Sequence, residues 1–214
     1  GVFEELDAAM MLHPSDKTCA SGTSTAIYPL QFRYKGKNAH AASCPQDGIN
    51  ALNSVIQLFN GIDALRQHVT PDVRMHGIIV KGGVAANIVP DEAVAQFYFR
   101  AATKETLDDI LEKVKRIAEG AALMTGATLE MERYEFPNDN LVTNENLSEA
   151  FNENLRALGI TEIKPPKSSG SSDIGNVSHK VPTIHPYIQV SSCKAPGHTV
   201  ELAEATVSDL GHER

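Results

Sequence analysis

Three histidines stand where an imidazole could meet a metal ion or a reacting group. His40 lies between alanines in "YKGKNAHAASCPQDGINAL", just before an amphipathic helix, so its small neighbours leave the ring room and allow close approach. His13 follows the apolar run "DAAMML", and His198 sits in a Gly-His-Thr turn before a helix. Both are places from which a neutral imidazole can ligate a metal. Both are also places where a polar residue simply ends an element. Asn87, in "GGVAANIVPD", and Arg100, ending "FYFR", would be brought near one another by an antiparallel pair of strands. A guanidinium grips a carboxylate at two points and an amide adds orientation. The plainer reading gives Asn87 to a turn and Arg100 to a sheet edge. "GSSDIGN" is either a backbone cradle for an anion or a flexible loop. His76, His179 and His185 lie in runs that need no ligand.

These residues need a scaffold, and at 214 residues with 42% apolar side chains the chain can bury a real core in one large or two small domains. The net charge of -8 has no basic block, which argues against nucleic acid or an anionic membrane and favours a small polar substrate. Cys19, Cys44 and Cys193 are odd in number and scattered, so neither a disulfide framework nor a thiolate zinc site is indicated, and a reducing cytoplasm is the simplest home. No apolar run approaches the roughly 18 residues of a membrane helix, and no signal-peptide pattern opens the chain. The start without Met and the charged end "DLGHER" suggest a piece of a longer protein.

The order of elements is informative. "TAIYPLQFRYKG" alternates as a strand does. In "GINALNSVIQLFNGIDALRQH" apolar residues recur at three- and four-residue steps, which predicts a helix with one buried stripe. "VRMHGIIVKGG" and "EAVAQFYFRAA" read as an antiparallel pair. Thr103 caps a second helix that stops at Gly126, and "ATLEMERYE" closes the set as a strand. The succession strand, helix, strand, strand, helix, strand predicts a ferredoxin-like (βαββαβ) sandwich. Residues 24–136 form that module, with 1–23 and 137–214 as flanks. The flanks hold a buried strand in "DAAMMLHP", a helix in "NENLSEAFNENLRALG", a Gly/Ser loop in "KSSGSSDIGNVSHKV" and a strand in "VPTIHPYIQV", as if one domain were inserted into another.

"GKNAHAA", "GGVAANIVPD" through "FYFR", "GSSDIGNVS" with "VPTIHP", and "GHTVELAEA", in this order around the insert, resemble the M-twenty metallopeptidase family, in particular its aminobenzoyl-glutamate hydrolase and aminoacylase-like branch. The resemblance implies an α/β catalytic domain of the di-metal exopeptidase kind, present only in part, and an inserted lid that makes a homodimer. It implies two divalent ions, zinc or else manganese or cobalt. His13 and His198 match metal-ligand positions, and His40 matches a lid histidine that steadies the developing oxyanion. Asn87 and Arg100 match positions that bind the substrate's carboxylate side. Gly170 to Asp173 match a loop lining the pocket, with Gly170 and Ser171 as its substrate-binding residues. The family's N-terminal half, with the remaining ligands and the glutamate that serves as general base, has no counterpart here, so this chain by itself is expected to be inactive. The implied reaction is hydrolysis of an amide bond next to a free carboxylate in N-acyl amino acids, dipeptides or aminobenzoyl-glutamate-like substrates. A non-catalytic dimerising or carboxylate-binding module is the rival reading.

Overall fold

The computed structural model describes residues 2–165 and 170–213. In chain order the strands are β1 (Ala9–Met10), β2 (His13–Ser15), β3 (Ala26–Lys35), β4 (Arg74–Lys81), β5 (Glu92–Ala101), β6 (Thr128–Glu132), β7 (Thr183–Ile184) and β8 (Tyr187–Gln189). The helices are α1 (Ala51–Leu65), α2 (Lys104–Thr125), α3 (Glu145–Ala157), α4 (Ile174–Ser178), α5 (Val200–Thr206) and α6 (Asp209–Glu213). The chain divides into two compact units. One is Ala26–Pro137, and the other joins Gly1–Thr25 to Asn138–Arg214.

The central unit is built on the period-two pattern of its strands. Ala26, Leu30, Phe32 and Tyr34 of β3 and Ala93, Ala95, Phe97, Phe99 and Ala101 of β5 turn one face of the sheet inward. Val55, Leu58 and Ile62 of α1 and Leu107, Ile110, Val114 and Ala118 of α2 cover that face. The four strands lie in the order β4-β5-β3-β6, all neighbours antiparallel. Phe97 is central, edge-on to Phe32 at 6.0 Å, tilted against Phe59 at 4.7 Å and stacked on Phe99 at 5.6 Å. The Tyr34 hydroxyl reaches through this core to donate to the Ala118 carbonyl at 3.1 Å. Asn50 caps α1 by accepting from the Asn53 N–H, and Thr103 caps α2 by accepting from the Thr106 N–H. The other face of the sheet is polar. Gln96 donates to Gln31 at 2.8 Å, and Gln31 donates to Glu132 at 2.6 Å.

The other unit holds two short parallel pairs, β1 with β7 and β2 with β8. "DAAMMLHP" therefore departs from the expected single buried strand. It makes two short segments, and Met10 and Leu12 are 55% and 49% exposed, since each segment has a strand neighbour on one side alone among the described residues. "VPTIHPYIQV" is likewise split, because Pro186 has no N–H to continue a ladder. Lys167, Ser168 and Ser169 of the Gly/Ser loop lie outside the described residues. Among the described residues Cys19, Cys44 and Cys193 form no disulfide. Among the described residues no helix is long and apolar enough to cross a membrane.

Candidate active site

In the central unit, the chain leaves β3 and doubles across the loop before β5. A Cβ on Gly36 would stand 2.0 Å from the Ile49 carbonyl oxygen, so glycine alone lets Lys37 exchange two backbone bonds with Ile49, each 2.9 Å. The Val89 N–H then donates to the Ala39 carbonyl at 2.9 Å and the Ala41 N–H to the Asn87 carbonyl at 3.0 Å. These bonds set His40 opposite Ile88, with Asn87 one residue along, and both His40 and Asn87 are exposed. The tight turn that follows, through small residues, folds the backbone onto the ring. The N–H groups of Ala42 and Ser43 donate to His40 Nδ1 at 3.3 and 3.2 Å. A neutral imidazole that accepts at Nδ1 carries its proton on Nε2. His40 is thereby held as an Nε2–H donor.

Arg100 stands elsewhere. It is paired with Ile27 and Arg74, whereas the Asn87 end of the sheet is marked by the Lys35 and Glu92 pair. Eight residues of β5 at about 3.3 Å each put roughly 26 Å between those ends. The expected approach of Asn87 to Arg100 is thus corrected. Asn87 belongs to the connection between β4 and β5, and Arg100 ends β5, so the antiparallel pairing separates them. The Arg100 guanidinium carbon lies 5.8 Å from the centre of the Tyr98 ring. Tyr98 donates to Glu135 at 2.6 Å, a bond that raises the phenol's pKa. His76 is 5.8 Å from Tyr98, and burial, followed by the charges of Arg100 and Arg66, lowers its pKa.

The other unit contains a cavity of about 780 Å³ whose walls include His13, Asp16, Cys19, Gly170, Tyr187 and His198. His13 Nδ1 is 2.7 Å from the Pro14 carbonyl oxygen. A carbonyl can only accept, so Nδ1 bears the proton and Nε2 keeps a free lone pair, as a metal-ligating histidine requires. His198 adopts φ 63°, a left-handed conformation uncommon in non-glycine residues but one that histidine enters more readily than most. The structure therefore brings His13 and His198 to one cavity, with Gly170. Ser171 does not line it; the Ser171 hydroxyl is 3.2 Å from Thr25 Oγ1. Within "GSSDIGN" the glycine demanded by packing is Gly175, whose Cβ would fall 1.9 Å from the Asp139 carbonyl oxygen. Among the described residues no three His, Cys, Asp or Glu side chains converge as a metal cluster.

His185 is the residue that sequence reasoning passed over. It lies in the break between β7 and β8, is 4% exposed, and neither ring nitrogen has a hydrogen-bond partner among the described residues. Its ring centre is 5.8 Å from that of His13 and 5.2 Å from that of Tyr187. Burial first, then the neighbouring His13, lowers its pKa, while Asp173 opposes them. The one signal in the sequence is a polar ring followed by proline inside an otherwise strand-like run.

Residues 24–124 match the family of the peptidase dimerisation domain. The chain is 37% identical over 212 residues to the Xaa-Arg dipeptidase of Mus musculus, a match covering 97% of this chain and 49% of that protein. It is 34% identical over 164 residues to a p-aminobenzoyl-glutamate hydrolase chain of Escherichia coli K12, covering 76% of this chain and 34% of that one. The crystal structure of the aminobenzoyl-glutamate utilization protein from Klebsiella pneumoniae has the same fold, with a TM-score of 0.75 at 18% identity over 87% of this chain and 51% of that chain. The chain spans about half the length of the curated relatives it matches. It is a mixed α/β chain with a separable peptidase dimerisation domain, M-twenty-like, of the dipeptidase and aminobenzoyl-glutamate hydrolase family.

Proposed function

We propose that this chain supplies substrate-binding and metal-binding parts of a homodimeric amidohydrolase. The enzyme cleaves an amide bond next to a free carboxylate in N-acyl amino acids, dipeptides or aminobenzoyl-glutamate-like substrates. The similarity to a dipeptidase and to an aminobenzoyl-glutamate hydrolase supports the substrate class. The observation that carries the reading is His13, whose Nδ1 is tied to the Pro14 carbonyl so that Nε2 is left to bind a metal beside a cavity that His198 shares. These donors fit a divalent ion such as zinc, manganese or cobalt, since imidazole accepts all three, and the family resemblance implies two such ions. His13 and His198 would hold metal, which when bound supplies Lewis-acid polarisation and acidifies water. His40 donates Nε2–H to the carbonyl oxygen as it gains charge. Arg100 grips the carboxylate, Asn87 orients the substrate's polar groups, and Gly170 with Ser171 belongs to the loop bordering the substrate.

Geometry within the central unit bears on assembly. An extended dipeptide spans about 7 Å, far less than the roughly 26 Å between the His40 and Arg100 ends of the sheet. One small substrate cannot touch both from one subunit. In a dimer, each of the two sites would take His40 from one copy and Arg100 from the other. The central unit, read as a ferredoxin-like lid, has β4 as an edge strand bearing exposed Ile78, Ile79 and Val80, at 64%, 46% and 52%. The opposite edge, β6, carries Glu130 and Glu132. The apolar β4 edge is the better surface for pairing with a second copy.

Arg100→Lys tests the carboxylate clamp. It keeps the charge and loses the two-point fork, so kcat/KM on substrates with a free carboxylate should fall by about 1–3 kcal/mol of transition-state binding. Substrates amidated at that end should be nearly indifferent. Equal losses on both would assign Arg100 a structural role, and carboxylate binding indifferent to metal removal would return the chain to the binding-module reading.

A further inference from the structure

His185 faces a problem of unmet bonding. An imidazole has two ring nitrogens that seek partners, and burying such a group unpaired costs about 1–3 kcal/mol. His185 is 4% exposed with both nitrogens unpartnered among the described residues. Its backbone, by contrast, is well satisfied, with the N–H donating to the Ser21 hydroxyl at 2.9 Å. The side chain is therefore fixed in place without a visible reason for its polarity. A phenylalanine would stack on Tyr187 as well.

The strand register gives the reason a direction. The Met11 N–H donates to the Ile184 carbonyl and the His13 N–H to the Pro186 carbonyl, each at 3.1 Å, so His185 lies beside the segment that ends in His13. Period-two alternation puts Tyr187 and His185 on one face, and the His13 and His185 ring centres are 5.8 Å apart at 53°. Two imidazoles bound to one tetrahedral ion through M–N bonds of about 2.0–2.1 Å have ring centres on the order of 5–6 Å apart. We propose that His185 is a second nitrogen donor to the metal held by His13, so that the two form an imidazole pair where β2 begins and the chain passes from β7 to β8. The proposal rests on the reading of His13 as a metal ligand. It gives a ligand role to a residue that the sequence reading assigned none, and it accounts for a polar ring in a dry place.

The test is made on the intact enzyme stripped of metal with chelator and titrated with ZnCl₂. Affinity is measured by calorimetry, and the histidine ring nitrogens are followed in ¹⁵N-histidine-labelled protein. His185→Phe keeps the ring volume and the stack on Tyr187, and near-ultraviolet circular dichroism reports whether it folds. Zinc affinity at the His13 site should fall at least about tenfold in His185→Phe. In the unsubstituted protein, the His185 ring nitrogen resonances, assigned by through-bond correlation to the backbone, should shift on zinc addition, a readout that needs no variant to fold. Zinc binding lost in His13→Gln but unchanged in His185→Phe, with the His185 resonances unmoved, would overturn the proposal and leave the His13 reading intact. Zinc binding indifferent to both substitutions would overturn both.

Discussion

His40→Ala should lower kcat by about 100- to 1000-fold, the usual effect of deleting one oxyanion donor, with little change in KM. The expectation follows from the bonds that fix the ring. With Nδ1 accepting from the Ala42 and Ser43 N–H groups, the proton resides on Nε2, where it can meet an oxygen that gains charge only as the amide is attacked. His40 is exposed and supports no core, so the loss should not come from unfolding. Kinetics on an N-acyl amino acid, with thermal unfolding as control, separate the two. A kcat within about threefold of wild type would remove His40 from the chemistry.

Phe97→Ala should destabilise the central unit by about 3–5 kcal/mol, the range for truncating a buried aromatic residue. Phe97 is 1% exposed and meets Phe32, Phe59 and Phe99, so no neighbouring side chain can fill the space without breaking another of these contacts. Tyr28, Tyr34, Tyr98 and Tyr134 all lie in this unit, so the near-ultraviolet tyrosine signal in a urea titration reports mainly on its unfolding. Because the unit carries the proposed pairing edge, the variant should also dissociate at lower urea than wild type. A shift below about 1 kcal/mol would mean that the sheet face is far less tightly packed than its burial implies.

What could be read from the sequence was whatever short-range chemistry decides. The alternation in β3 and β5, the Thr103 cap and the stop at Gly126 are local signals, and the succession of elements in the central unit followed from them. His40 and His13 stood out because of their neighbours, but the atoms that make each useful did not. The proton on His40 Nε2 and the lone pair on His13 Nε2 are set by backbone groups whose approach depends on turns. Long-range register was less legible still. Asn87 and Arg100 are 13 residues apart along the chain, and only the run of pairs from Lys35 and Glu92 to Ile27 and Arg100 shows that they lie at opposite ends. His185 read as a residue needing no ligand because an apolar run hides a polar ring until a parallel neighbour, here the segment leading into His13, places a second imidazole beside it.

In the proposed dimer, His40 and Arg100 of one copy serve different active sites. Mixed dimers of His40→Ala and Arg100→Ala test this directly. Each parent has both sites damaged. If the two groups serve different sites, a mixed dimer has one site with both groups intact and one with neither. Random pairing makes half of the dimers mixed, so co-refolded protein should recover up to about a quarter of wild-type activity. If mixed dimers are captured through a tag on one variant and remain as inactive as the parents, the two residues act at a single site, and the claim fails.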